Sequence, residues 1–95
     1  MINNRIQFEA IFYNMEDLED DTFYTARVII PIDLNDEIHE NLDNKTHDID
    51  GTTTILRHNG SKIEVNHLFD EVRDIYNKYQ REIIEFVNNN RHTLE

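Results

Sequence analysis

The sequence predicts an α+β domain: a four-stranded antiparallel sheet of two hairpins, covered by one long C-terminal helix. Three observations predict it. Residues 5–12 alternate apolar and polar side chains, an Asn59-Gly60 pair sits between two β-rich runs, and apolar residues recur at helical spacing from His67 to about Asn90. Period two marks a half-buried strand, period 3.6 an amphipathic helix, and Asn-Gly between strands a tight hairpin turn.

The first strand is RIQFEAIFYN, with Ile6, Phe8, Ala10 and Phe12 on the core face and Arg5, Gln7 and Glu9 opposite. The polar, acidic MEDLEDD that follows reads as a hairpin loop. TFYTARVIIPI is the second strand, with Tyr24, Ala26, Val28 and Ile30 directed inward and Pro31 ending it or placing it at an edge. Tyr13 and Phe23, with Ile11 or Ile29, either form an exposed apolar patch on the other face, suited to a partner or a second subunit, or are buried by an irregular strand.

In IDLNDEIHENLDN, Leu34, Ile38 and Leu42 fall four apart. That spacing predicts a short helix, or failing that an ordered loop, between the hairpins over residues 33–44. About ten helical residues are marginal without tertiary support. The run TTILRHNGSKIEV then predicts the second hairpin, turning at Asn59-Gly60 as a two-residue type I′ turn. Leu56 then pairs with Ile63 and Thr54 with Val65, so Leu56, Ile63 and Val65 share the buried face. The helix is capped by Asn66, carries Asp70 and Glu71 in its first turns, and ends at Asn88-Asn89-Asn90. At about 36 Å it outruns a strand of about 20 Å, so it overhangs or crosses the sheet diagonally. No repeat or low-complexity linker divides the chain, and residues 1–95 read as one domain.

The dominant compositional fact is a net charge of −11. Residues 15–50 hold twelve acids (Glu16, Asp17, Glu19, Asp20, Asp21, Asp33, Asp36, Glu37, Glu40, Asp43, Asp48 and Asp50) against Arg27 and Lys45. A phosphate backbone needs clustered lysine and arginine, so direct nucleic-acid contact is excluded, as is docking on an anionic membrane. No apolar run approaches the length of a membrane span, and MINNRIQFEA lacks the apolar stretch of a signal peptide. The absence of cysteine removes thiol chemistry and zinc–thiolate sites and fits a reducing cytoplasm.

Two stretches resemble metal sites and fail on spacing. In THDIDGTTTILR, Asp48, Asp50 and Gly51 match a calcium loop, but Thr46 stands at its first ligand position and Arg57 at its last. The β-branched run after Gly51 predicts a strand where the exiting helix should be. HENLD carries Asp43 where a zinc protease has its second histidine. Ser61 has no base beside it, and two glycines in turns build no phosphate cradle. No cofactor or metal is implied, and the chain reads as a non-enzyme.

Two functions remain. The first is a protein-interaction module presenting the twelve acids to a basic or nucleic-acid-binding protein, by analogy with inhibitors and nucleic-acid mimics of the phage or mobile-element type. The second is a small structural accessory protein, a homodimer formed through Tyr76, Tyr79, Ile83, Ile84, Phe86 and Val87 of the overhanging helix.

Overall fold

The computed structural model describes residues 3–13 and 23–93. Five strands and one helix follow in chain order: β1 (Arg5–Tyr13), β2 (Phe23–Pro31), β3 (Glu37–Leu42), β4 (Ile49–Leu56), β5 (Lys62–Val65) and α1 (Phe69–Thr93). The strands form one antiparallel sheet in the order β2-β1-β5-β4-β3. The α+β class, the antiparallel sheet and the C-terminal helix are as the sequence predicts; the strand number is five, not four.

The extra strand is β3, in the segment predicted as a short helix or loop. Asp33–Asp36 makes a tight turn, closed by a hydrogen bond from Asp36 N to Asp33 O (2.9 Å). Glu37–Leu42 then pairs with β4, Ile38 opposite Ile55. Of the apolar trio spaced for a helix, only Ile38 packs against the core; Leu34 and Leu42 are exposed. A ten-residue helix was marginal, and β4 offers a full ladder of backbone partners that a helix there would leave empty.

The β4–β5 hairpin is present with its register one residue from expectation. Ile55 faces Ile63, Leu56 faces Lys62 and Thr53 faces Val65. Gly60 N bonds Arg57 O (2.9 Å), Arg57 N bonds Ser61 O (2.8 Å), and Gly60 adopts φ +88°. Asn59 does not share the positive φ that a type I′ turn requires. The connection is a three-residue loop with Gly60 as its left-handed bulge residue, the next most common hairpin closure. The slip puts Thr53 and Ile55 on the core face, each fully buried, in place of Thr54 and Leu56.

β2 and β3 are consecutive in the chain yet lie at opposite edges of the sheet, joined only by residues 32–36. Six Cα–Cα steps join Pro31 to Glu37, and three of them are taken up by the Asp33–Asp36 turn, which spans less than about 7 Å, so the connection reaches about 18 Å, while the edges of a flat five-stranded sheet lie about 19 Å apart before any offset along the strands. The sheet therefore curls. Its fold line is the β1–β5 join, where one residue pair, Ala10 with Val65, carries the ladder, extended by Asn66 N to Glu9 O (2.8 Å). Curling encloses Phe8, Ile32, Ile55, Val65 and Val72, all at 1 % exposure or less.

The helix starts at Phe69, later than predicted, because Asn66 extends the β1–β5 ladder instead of capping. It continues past the expected Asn88–Asn90 stop to Thr93. Its 25 residues span about 37 Å. Val72 is buried and Ile75 and Tyr79 pack against the core, whereas Ile84, Phe86 and Val87 are exposed. The expected overhang is present: the radius of gyration is 16.8 Å, against about 12 Å for a compact chain of this length.

Candidate interaction surface

The acids predicted as one partner-binding surface divide into three groups. Glu16, Asp17, Glu19, Asp20 and Asp21 lie outside the described residues, as does the hairpin loop assigned to them. Asp33, Asp36 and Glu37 stand at the start of β3 and Asp43, Asp48 and Asp50 beyond its end, with Glu40 on the strand between the two sets. Six strand residues separate these sets by about 20 Å. Residues 33–50 therefore form an acid-lined edge rather than one cluster.

Three of the exposed carboxylates serve the local backbone. Asp33 Oδ1 accepts from Asn35 N (2.8 Å), Asp43 Oδ1 from Lys45 N (2.8 Å) and Thr46 N (3.0 Å), and Asp50 Oδ1 from Thr52 N (2.8 Å). Each is an Asx turn, in which the side chain replaces a backbone acceptor. Those amides, Thr46 foremost and then Lys45, hold the Asp43 carboxyl below the usual carboxylate range. Asp50 serves an irregularity in β4: register shifts between Glu40 and Leu42, and Gly51 opposite takes φ +85°. The stretch that resembled a calcium loop is thus a turn and a strand bulge, with glycine supplying the left-handed conformation. Glu37, Glu40 and Asp48 accept no backbone hydrogen bond among the described contacts and remain exposed, Glu37 beside His39 (3.2 Å).

Asp36 is withdrawn from the surface. Its side chain is fully buried, with Oδ2 accepting from Asp33 N (3.0 Å) and Tyr76 Oη (2.8 Å). Oδ1 has no hydrogen bond and faces Arg57 Nε at 3.4 Å. Arg57 also donates to Pro31 O. The cluster pins three distant parts of the chain together: the end of β2 with the turn before β3, the β4–β5 loop, and α1. Burial first, then the bond to Asp36, raises the Tyr76 phenol above the usual tyrosine range. Tyr76 and Tyr79, named for the predicted oligomer interface, are partly buried and pack against the core. Ile83 is half-buried, leaving Ile84, Phe86 and Val87 of that set exposed.

A second bond cluster ties α1 to the sheet at its other end. Glu9 N donates to His67 Nε2 (3.0 Å), Thr53 Oγ1 donates to His67 O (2.8 Å), and the His67 ring stands edge-on to Phe8 at 5.8 Å. This accounts for the fully buried Thr53 and for the part-buried His67 ring.

A group of exposed apolar side chains lies along the β1–β2 pair. Phe12 stacks on Tyr24, ring centroids 5.4 Å apart, on the core-side face but beyond the core; Phe12 is 39 % exposed and Tyr24 58 %. Tyr13 pairs with Phe23 on the opposite face, and Tyr13 Oη donates to Glu64 Oε2 (2.6 Å). Ile11 and Ile29 share that outer face, Ile29 fully displayed at 58 % exposure. The outward patch of Tyr13 and Phe23 is where the alternation puts it. Exposure of Phe12 and Tyr24 was not legible, because alternation assigns a face and does not say how far along the strand the core extends. Between this arm and β5 lies a cleft lined by Ala10, Phe12, Val28, Ile30 and Ile63, with Lys62 and Glu64 its charged members.

No family model, curated protein or solved structure matches the chain.

Proposed function

We propose that this chain is a non-enzymatic protein-interaction module whose acidic edge engages a basic protein partner, including partners that themselves bind nucleic acid. The observation that carries the reading is the state of the carboxylates along and beside β3. Glu40, Asp43, Asp48 and Asp50 are exposed, and no arginine or lysine salt bridge neutralises them among the described residues. Exposed like charges cost only a few tenths of a kcal/mol each under physiological screening, so the fold tolerates them, and together they accelerate encounter with a cationic surface. Inhibition of the partner by occupying its nucleic-acid site is the form this takes if the carboxylates stand in for phosphates. Affinity capture from the native cell at low and at moderate salt tests it. The expected result is a basic protein whose retention falls with salt and, in the mimic form, whose binding is competed by nucleic acid; salt-independent capture contradicts it.

A second reading, a structural accessory protein dimerising through α1, is favoured by the exposed Ile84, Phe86 and Val87 on the overhang. It requires association insensitive to salt and abolished by Phe86→Glu.

A further inference from the structure

Of the sheet's two edges, only one is defended. β3 is short, carries Glu37, His39 and Glu40 within its six residues, and is interrupted by the irregularity opposite Gly51. Charge, brevity and bulges are the devices that keep an edge strand from pairing with another chain. β2 has nine residues in unbroken register with β1, one charge at Arg27, and its proline only at the last position. No strand or helix backbone runs beside its outer edge among the described residues. Alternate residues from Phe23 to Ile30 therefore direct their N–H and C=O groups outward. Phe23, Tyr24 and Ile29 stand 62, 58 and 58 % exposed there.

We propose that β2 is a self-association edge: a second copy of this chain pairs with it antiparallel, about a two-fold axis through Ala26, joining two sheets into one. Charge selects the occupant. With a net charge of −11, most faces of the molecule repel a copy of themselves, but residues 22–32 contain no acid and a single arginine. Two copies meet at β2 without opposing carboxylates. Side-chain alternation selects the register. Directly opposed residues must lie on the same face, so a symmetric antiparallel pair has its axis through a residue, not between two. An axis at Arg27 sets like charges against each other. An axis at Ala26 pairs Phe23 with Ile29 on the outer face, Tyr24 with Val28 on the inner, and Thr25 with Arg27. Those pairs cover the three exposed side chains named above, and the ladder adds about six to eight inter-chain hydrogen bonds. The helix overhang is the weaker surface for a copy: Glu82 and Glu85 interleave its apolar residues.

The chain has no cysteine, so Ala26→Cys introduces a single thiol at the proposed axis. Opposed Cα atoms in an antiparallel pair lie about 4.5–5.5 Å apart, inside the disulfide range of about 4.4–6.8 Å. Mild oxidation is expected to convert this variant almost wholly to a covalent dimer, while Ile84→Cys on the helix overhang stays monomeric. Light scattering of the unmodified protein at high concentration is expected to give twice the 11.4 kDa chain mass. Ile29→Lys, at an exposed position, is expected to return the single-chain mass with an unchanged circular dichroism spectrum. A wild-type monomer at high concentration overturns the proposal. So does a dimer that survives Ile29→Lys, or cross-linking of the Ile84→Cys variant without cross-linking of Ala26→Cys.

Discussion

Asp36 is where sequence and structure diverge most at the scale of single residues. By type it belongs with the solvent-facing acids; in the fold it is buried against Arg57 and accepts from Tyr76 and a backbone amide. Removing one member of a buried pair strands the other, at about 3–5 kcal/mol. Asp36→Ala is therefore expected to consume a large part of a total stability of about 5–15 kcal/mol, read as a lowered urea midpoint. Tyr76→Phe, which removes one hydrogen bond to the Asp36 carboxylate, costs about 1.5–3 kcal/mol. Tyr76 also makes the fold alkali-sensitive. Its phenol is held above the usual range, so the unfolded chain ionises first as pH rises past about 10 and stability falls from there upward. Urea midpoints between pH 8 and 11 should decline more steeply for wild type than for Tyr76→Phe; parallel curves would refute the assignment. In the opposite direction, Asp43 is expected to titrate below the usual carboxylate range by carbon-detected NMR, because two backbone amides bond its charged form.

Among the elements, β1, β2 and α1 were legible because their apolar periods are long and unambiguous. Ile6, Phe8 and Ala10 alternate without interruption, and Val72, Ile75, Tyr76 and Tyr79 hold helical spacing. The β4–β5 register was not legible. Ile55 and Leu56 are adjacent and both apolar, so pattern alone cannot say which faces inward, and Asn-Gly fits a three-residue loop as well as a two-residue one. Mutation separates the two registers. Ile55→Ala, at a fully buried site, is expected to cost about 2–5 kcal/mol, and Leu56→Ala markedly less. The reverse order in a denaturant titration would restore the register read from the sequence. β3 was illegible for a different reason: its apolar spacing suits a helix, and what makes it a strand is β4, which follows it in the chain and fixes it through pairing.

At the scale of the whole molecule, the fold is an elongated body, 64 Å on its longest axis against 26 and 20 Å on the others. A curled sheet holds its core, and its helix runs well past that core. The candidate site was legible as composition and not as geometry. Twelve acids within residues 15–50 are evident on inspection, yet the division of the seven described ones into turn-builders, a buried ion-pair partner and free surface charge depends on backbone amides and on Arg57, which no local pattern announces. Glu37, Glu40 and Asp48 are the described carboxylates of this set that hold no backbone amide, so they can be neutralised without disturbing a turn. Whether surface acid serves recognition is therefore decided by the triple substitution Glu37→Gln, Glu40→Gln and Asp48→Asn. Its dissociation constant for the basic protein retrieved by affinity capture is compared with that of wild type at about 0.1 M salt. An acidic recognition edge requires an unchanged unfolding midpoint and binding weakened about tenfold or more, equivalent to about 1.4 kcal/mol. Equal affinities for variant and wild type would contradict it and leave the charge a determinant of solubility alone.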